Sequence, residues 1–168
     1  ESLQYDERET EDFAENSQKA LNYMAQSKEY RNNVDLCWRI ASIFLENQEN
    51  NKQGARLLEE YVTNVKGLKA ESKVRLYGNI GQLYSIDGDY SVALQYCWRG
   101  LELLESSPLI PNRSKYMSKF LAVLGDNAYG LEQYQTAIEY YEQSLEIFQK
   151  REDDDLLADA SLALVNEG

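Results

Sequence analysis

Imidazole, thiolate and carboxylate groups do most acid–base and nucleophilic work at neutral pH, and this 168-residue sequence contains no histidine. Imidazole catalysis is thereby excluded. With no Cys pair at CxxC spacing, a zinc site has almost nothing to be built from. Cys37 and Cys97 are distant in sequence and each sits inside an apolar helical pattern, so they read as small buried hydrophobes. Glu139 and Glu142 could act as paired carboxylates, but neighbouring helical acids without a basic partner read as a solvated face. The charge run 151–155 reads as a solvated linker and a helix start, since a calcium loop needs a different spacing and a turn glycine. No catalytic, metal or cofactor site emerges, and a non-enzymatic function is expected.

The whole-chain properties narrow the partners. Seventeen basic and 29 acidic residues give a formal net charge of −12, which repels a nucleic-acid backbone or an anionic membrane. No apolar run approaches the roughly 20 residues needed to span a bilayer. The acidic segment 1–12 is poorly patterned and resembles neither a signal peptide nor a transit peptide, so a soluble, cytoplasmic protein is expected. An apolar share of 43% with only two prolines, Pro108 and Pro111, argues for one folded domain rather than disorder.

The elements that would carry a site are defined by repetition. Residues 79–105 lie over residues 123–149 at a constant offset of 44. Ile80 then matches Leu124, Gly81 matches Gly125, Tyr90 matches Tyr134, Ala93 matches Ala137, Tyr96 matches Tyr140 and Leu101 matches Leu145. Apolar and small residues recur three and four apart, as in Ala93, Tyr96, Cys97, Gly100, Leu101 and Leu104, which is the period of an amphipathic helix. In the first copy Asp87-Gly88-Asp89 breaks the pattern: glycine supplies a positive φ and the aspartate can cap the next helix. Each copy is a helix, a tight turn and a second helix.

Ile80, Gly81, Tyr84, Gly88, Tyr90 and Ala93, in that order, resemble the signature of the tetratricopeptide repeat. The copy around Gly125 keeps Leu124, Tyr134, Ala137 and Tyr141 but has Ala128 and Glu132 in place of the aromatic and the turn glycine. Ile40, Ala41 and Phe44 with Ala55, Leu58 and Val62 form a weaker copy with a lengthened turn at 47–53. Phe13, Ala20, Tyr23, Met24 and Ser27 resemble a second helix. The resemblance implies an all-α fold of helical hairpins stacked in a right-handed superhelix. It places one helix at about 13–29, repeats at about 34–66, 74–106 and 118–150, and an unpaired or capping helix at about 155–167. Within such a stack Gly81, Ala93, Gly125 and Ala137 sit at the closest helix crossings. The 13 tyrosines, with Trp38 and Trp98, have the spacing of packing residues rather than of a ligand-stacking box. The linker 106–114, with both prolines, is expected to project as a surface loop.

The resemblance also implies where a partner binds, because the first helix of each unit lines the concave side. Carried over by position, the candidates are Trp38, Arg39 and Ser42, then Arg75, Asn79 and Gln82, then Lys119, Val123 and Asp126. Arg39, Arg75 and Lys119 would make a local positive field suited to an acidic or carboxylate-bearing peptide. Some members of the family clamp a terminal carboxylate with lysine, asparagine, asparagine, lysine and arginine. Asn79 and Lys119 match that set, whereas Trp38, Ser42 and Val123 replace the other three. The basic residues could instead be solvated or paired with Asp35, Glu46 or Asp126. The leading expectation is a scaffold or adaptor that binds a peptide or protein segment. The alternatives are a peptide-sensing domain of a larger bacterial regulator and a module that self-assembles into homo-oligomers through the open ends of the array.

Overall fold

The structure, a computed structural model, describes the backbone of residues 7–46 and 51–166, and side chains within 13–44, Val34 excepted, and 51–150. The described residues form α1 (Glu7–Gln26), α2 (Val34–Glu46), α3 (Asn51–Asn64), α4 (Ala70–Ile86), α5 (Tyr90–Ser106), α6 (Arg113–Gly130) and α7 (Tyr134–Asn166). Helices α2 and α3, α4 and α5, and α6 and α7 pack as successive hairpins, while α4 also touches α2, α3 and α6. Among the described residues the fold is all-α, a helical-repeat solenoid, and no helix is long and apolar enough to cross a membrane.

One apolar stripe per helix builds the core, because residues three and four apart share a helix face. Leu21, Met24, Cys37, Ile40, Phe44, Ala55, Leu58, Ile80, Leu83 and Ala93 form one buried cluster, and Val74, Cys97, Leu104, Phe120, Leu121 and Leu124 form the next. Tyr77 packs against both, so the core runs along the stack without a break. Burial pushes the Cys37 and Cys97 thiols up to about 12, consistent with their reading as inert packing residues. Tyr61, Tyr84 and Tyr96 are buried as packing residues, whereas Tyr23, Tyr30, Tyr129 and Tyr134 are exposed. Trp38 and Trp98 depart from that expectation, being 52% and 53% exposed. Each follows a buried cysteine, and a step of one residue turns a helix by about 100°, which carries the indole off the buried stripe.

The turns show how the chain reverses. After α4, the Asp89 N–H donates to the Tyr84 carbonyl (2.9 Å) and Gly88 takes φ +83°. After α6, the Gln133 N–H donates to the Ala128 carbonyl (2.9 Å), and Glu132 takes φ +62°. The same helix-ending motif is therefore closed in both copies, with glutamate in the left-handed position that glycine fills more easily. Asp89 does not cap α5 with its side chain as expected; its carboxylate is paired with Lys52 Nζ on α3. Between α2 and α3, α3 already begins at Asn51, so the expected long turn at 47–53 loses its last three residues to the helix, and the rest lies outside the described residues. In the proline-containing linker Leu109 is 95% exposed, but the neighbouring Ile110 is buried and the Arg113 guanidinium donates to the carbonyls of Leu104 and Ser107. The loop is thus pinned beneath its tip. Helix α7 runs unbroken through 151–155 to Asn166, where a linker and a separate helix at 155–167 were expected. No proline or glycine lies between 131 and 167, and acidic residues alone do not stop a helix.

Close helix contact is obtained by seating aromatic rings on glycines. A Cβ at Gly100 would overlap the Phe120 ring, and one at Gly125 would lie 2.6 Å from the Tyr141 ring. Gly100→Ala is expected to destabilise the fold by about 1–3 kcal/mol, the usual range for overpacking. Phe120→Leu in the same chain should recover part of that loss in urea denaturation. Glu132→Gly is expected to stabilise. Leaving a left-handed L-residue conformation gains about 1–2 kcal/mol, of which glycine's larger unfolded-state entropy takes back about 0.5–1. Gly88→Ala should shift the same denaturation midpoint the other way.

Candidate partner-binding groove

Helix positions four apart face the same way, and α4 is flanked by α2 and α6, so one side of these three helices forms a common wall. Glu71, Arg75 and Asn79 follow one another at that spacing on α4, and Lys115 and Lys119 do so on α6. Together with Trp38, Asn112 and Tyr116 they line a cavity of about 490 Å³, with Val74, Gly78 and Phe120 contributing apolar surface. A second cavity of about 210 Å³ shares Lys115 and Lys119 with it and lies between Ser114, Ser118 and Ala122 on α6 and Ser144, Ile147 and Phe148 on α7. The Ser118 and Ser144 hydroxyls are 3.0 Å apart and join the two helices beneath it.

The charges here are unevenly paired. Arg75 Nη2 lies 2.6 Å from Asp35 Oδ1, and the Tyr116 hydroxyl donates to Glu71 Oε1 at 2.9 Å. Burial, then the Glu71 hydrogen bond, pushes the Tyr116 phenol up to about 12, so it remains a donor. Lys119 Nζ donates to Asn79 Oδ1 at 3.0 Å, and no carboxylate among the described residues lies within ion-pair distance of it. Desolvation, followed by repulsion from Arg75 and Lys115, holds the Lys119 ammonium below the ordinary lysine value. The arrangement is a positive, half-enclosed recess whose own acids are already committed. It can accept an anionic group, while the Asn79 amide nitrogen and the Trp38 face offer a hydrogen-bond donor and an apolar surface.

The candidates from the sequence are distributed unequally around this recess. Trp38, Arg75, Asn79 and Lys119 line it, whereas Arg39 and Gln82 do not. Arg39 follows Trp38 on the helix and is turned away by the same step of about 100°. Lys115 replaces it as the third cation of the recess. The Ser42 hydroxyl bonds back to the Trp38 carbonyl (2.9 Å). Val123 is buried in the core and presents no groove surface. Asp126 is exposed and accepts from the Tyr141 hydroxyl at 2.7 Å. Of the proposed internal pairings, Arg75 with Asp35 is formed, and the Glu46 side chain lies outside the described residues. Glu71, Asn112, Lys115 and Tyr116 were missed. The four-residue step back from Arg75 to Glu71 and from Lys119 to Lys115 was the available signal.

A scan of protein families matches the tetratricopeptide repeat at residues 74–103 and 118–151, which span most of α4 with α5 and most of α6 with the first half of α7. Neither the search of curated proteins nor that of solved structures finds a match. These hairpins are tetratricopeptide repeats, and such repeats generally serve as protein–protein interaction modules.

A lysine held in a recess without a carboxylate does not serve stability. Lys119→Met is therefore expected to be no less stable than the wild type at pH 7. The sign with pH follows from the depressed Lys119 pKa: as pH rises towards the unfolded lysine value of about 10.4, the folded chain sheds this proton while the unfolded chain keeps it. The wild type then gains stability relative to Lys119→Met. Chemical denaturation of both proteins at neutral and alkaline pH measures the difference.

Proposed function

We propose that this protein is a non-enzymatic scaffold or adaptor whose groove over α2, α4 and α6 holds a segment of a partner protein. An acidic side chain or a terminal carboxylate of that segment would sit between Arg75, Lys115 and Lys119. The observation that carries the reading is Lys119: a largely desolvated ammonium with one neutral acceptor, facing a cavity and flanked by two further cations. A ligand carboxylate would supply the missing counter-charge, and charge-assisted hydrogen bonds are the stronger kind. The neighbouring cavity, which shares Lys115 and Lys119 and is lined by Ile147 and Phe148, offers a side pocket for another residue of the same segment. The match to an interaction repeat supports the general role.

Trp38 provides the assay, since it lines the cavity and is half exposed. In a Trp98→Phe background its fluorescence is titrated with a short Gly/Ser peptide carrying central glutamates, and with the same peptide carrying glutamines. The glutamate peptide is expected to bind and the glutamine peptide to bind weakly. Lys119→Met should reduce the affinity by at least about tenfold, because a hydrogen bond to a charged group contributes roughly 1.5–3 kcal/mol. Equal binding of both peptides, unchanged by Lys119→Met, would refute anchoring by an anion.

A further inference from the structure

The lysine of the recess has the surroundings of a nucleophile as well as those of an anchor. Lys19 and Lys52 are paired with the carboxylates of Glu15 and Asp89, whereas Lys119 Nζ donates to the neutral Asn79 Oδ1 at 3.0 Å and has Arg75 and Lys115 beside it. Desolvation, and then these like charges, hold its ammonium below the ordinary lysine value, and both effects favour the free amine, which is the form that attacks carbon. An amine that donates one hydrogen to Asn79 keeps its lone pair. Lys119 also lines both cavities, so its side chain borders space that a small molecule can occupy. The cations that disfavour its charge attract charge of the opposite sign. Arg75 engages Asp35 through Nη2 and has further N–H donors, and the exposed Lys115 has no carboxylate within ion-pair distance among the described residues.

We propose that Lys119 captures small aldehydes or ketones that carry a carboxylate, holding them as an imine on Nζ with the carboxylate between Arg75 and Lys115. The amine nitrogen adds to the carbonyl carbon, and the carbonyl oxygen takes up the proton that the nitrogen releases, giving a carbinolamine. Its hydroxyl then leaves as water with the second nitrogen proton, and a C=N bond replaces the C=O bond. Nothing is oxidised or reduced, and no further reagent is consumed. Seating the carboxylate first turns the addition into a reaction between groups already held together, which removes much of the entropic barrier. Trp38, Val74 and Phe120 offer apolar surface to the carbon chain between the two ends. The capture needs no protein partner. It shares with the scaffold reading only the attraction of a carboxylate to these cations.

The probe is succinic semialdehyde, with butanal as its neutral counterpart of the same chain length, each incubated with the whole chain and cyanoborohydride at neutral pH. Reduction fixes any imine as a secondary amine, and peptide mass spectrometry reads its position. With the semialdehyde, Lys119 is expected to be labelled at least about tenfold faster than the exposed Lys28 and Lys66. Butanal should lose most of that preference. Arg75→Met and Lys115→Met, with the fold checked by circular dichroism, should each slow the labelling of Lys119 and leave that of Lys28 unchanged. Labelling of Lys119 no faster than that of Lys28 and Lys66, or a preference that butanal keeps in full, overturns the inference. The two readings of the recess separate cleanly: binding of the glutamate peptide without selective labelling removes the covalent capture and leaves the scaffold, and selective labelling without peptide binding does the reverse.

Discussion

Two helices can approach closely only where one of them withholds a side chain, and the stack uses this device repeatedly. Phe44 on α2 lies against Gly54 on α3, Tyr90 on α5 against Gly130 on α6, Phe120 on α6 against Gly100 on α5, and Tyr141 on α7 against Gly125 on α6. In each pair the ring fills the space of an absent Cβ. Dispersion contacts fall away within a fraction of an ångström, so such a seat tolerates little displacement. The interlocks position more than the core. Phe120, clamped over Gly100, also lines the cavity in which Lys119 and Arg75 meet, so the shape of the recess depends on the packing between hairpins.

That dependence gives the recess its electrostatic character. If α4 and α6 were free to separate, Lys119 would reach water and regain its ordinary basicity. Held together, they leave it with Asn79 Oδ1 as its acceptor and with Arg75 and Lys115 nearby. The Asp35 carboxylate is taken by Arg75 and the Glu71 carboxylate by Tyr116, so the acids closest to the recess do not answer the lysine. A core that enforces an unfavourable cation contributes stability elsewhere and leaves the site under electrostatic tension, a condition that an incoming anion would relieve.

The fold class was legible because it rests on features that survive in a single sequence. The three- and four-residue spacing and the offset that pairs Gly81 with Gly125 and Ala93 with Ala137 are properties of residue type and order alone. What was hidden depends on phase or on competition between distant groups. Position in the repeat points Val123 at the groove, but its helical phase turns it into the core. Lys115 and Tyr116 lie in the first turn of α6 and Glu71 in that of α4, where the start of a helix is least readable from sequence. Asp89 has the side chain of a cap, but it is paired with Lys52 from α3, a contact that local sequence does not show. Glu132 contradicts the preference for glycine in a left-handed position, yet the hydrogen bonds from its own amide to Tyr129 and from Gln133 to Ala128 are formed. Closing the turn outweighs the local strain.

The charge of −12 is not spread evenly, and the unevenness has consequences for association. The recess over α2, α4 and α6 gathers Arg75, Lys115 and Lys119, whereas the open face of α7 is edged by Glu139, Glu142 and Glu146. The stack keeps these opposite fields apart. Repulsion of the wrong partner contributes to specificity as much as attraction of the right one. The same separation opposes aggregation through the apolar residues left on α7, because two such faces cannot meet without bringing their glutamates together. An exposed Ile138 or Leu145 is therefore tolerable on this helix for a reason that lies in the side chains next to it, and neutralising those neighbours would expose an adhesive surface without altering the fold.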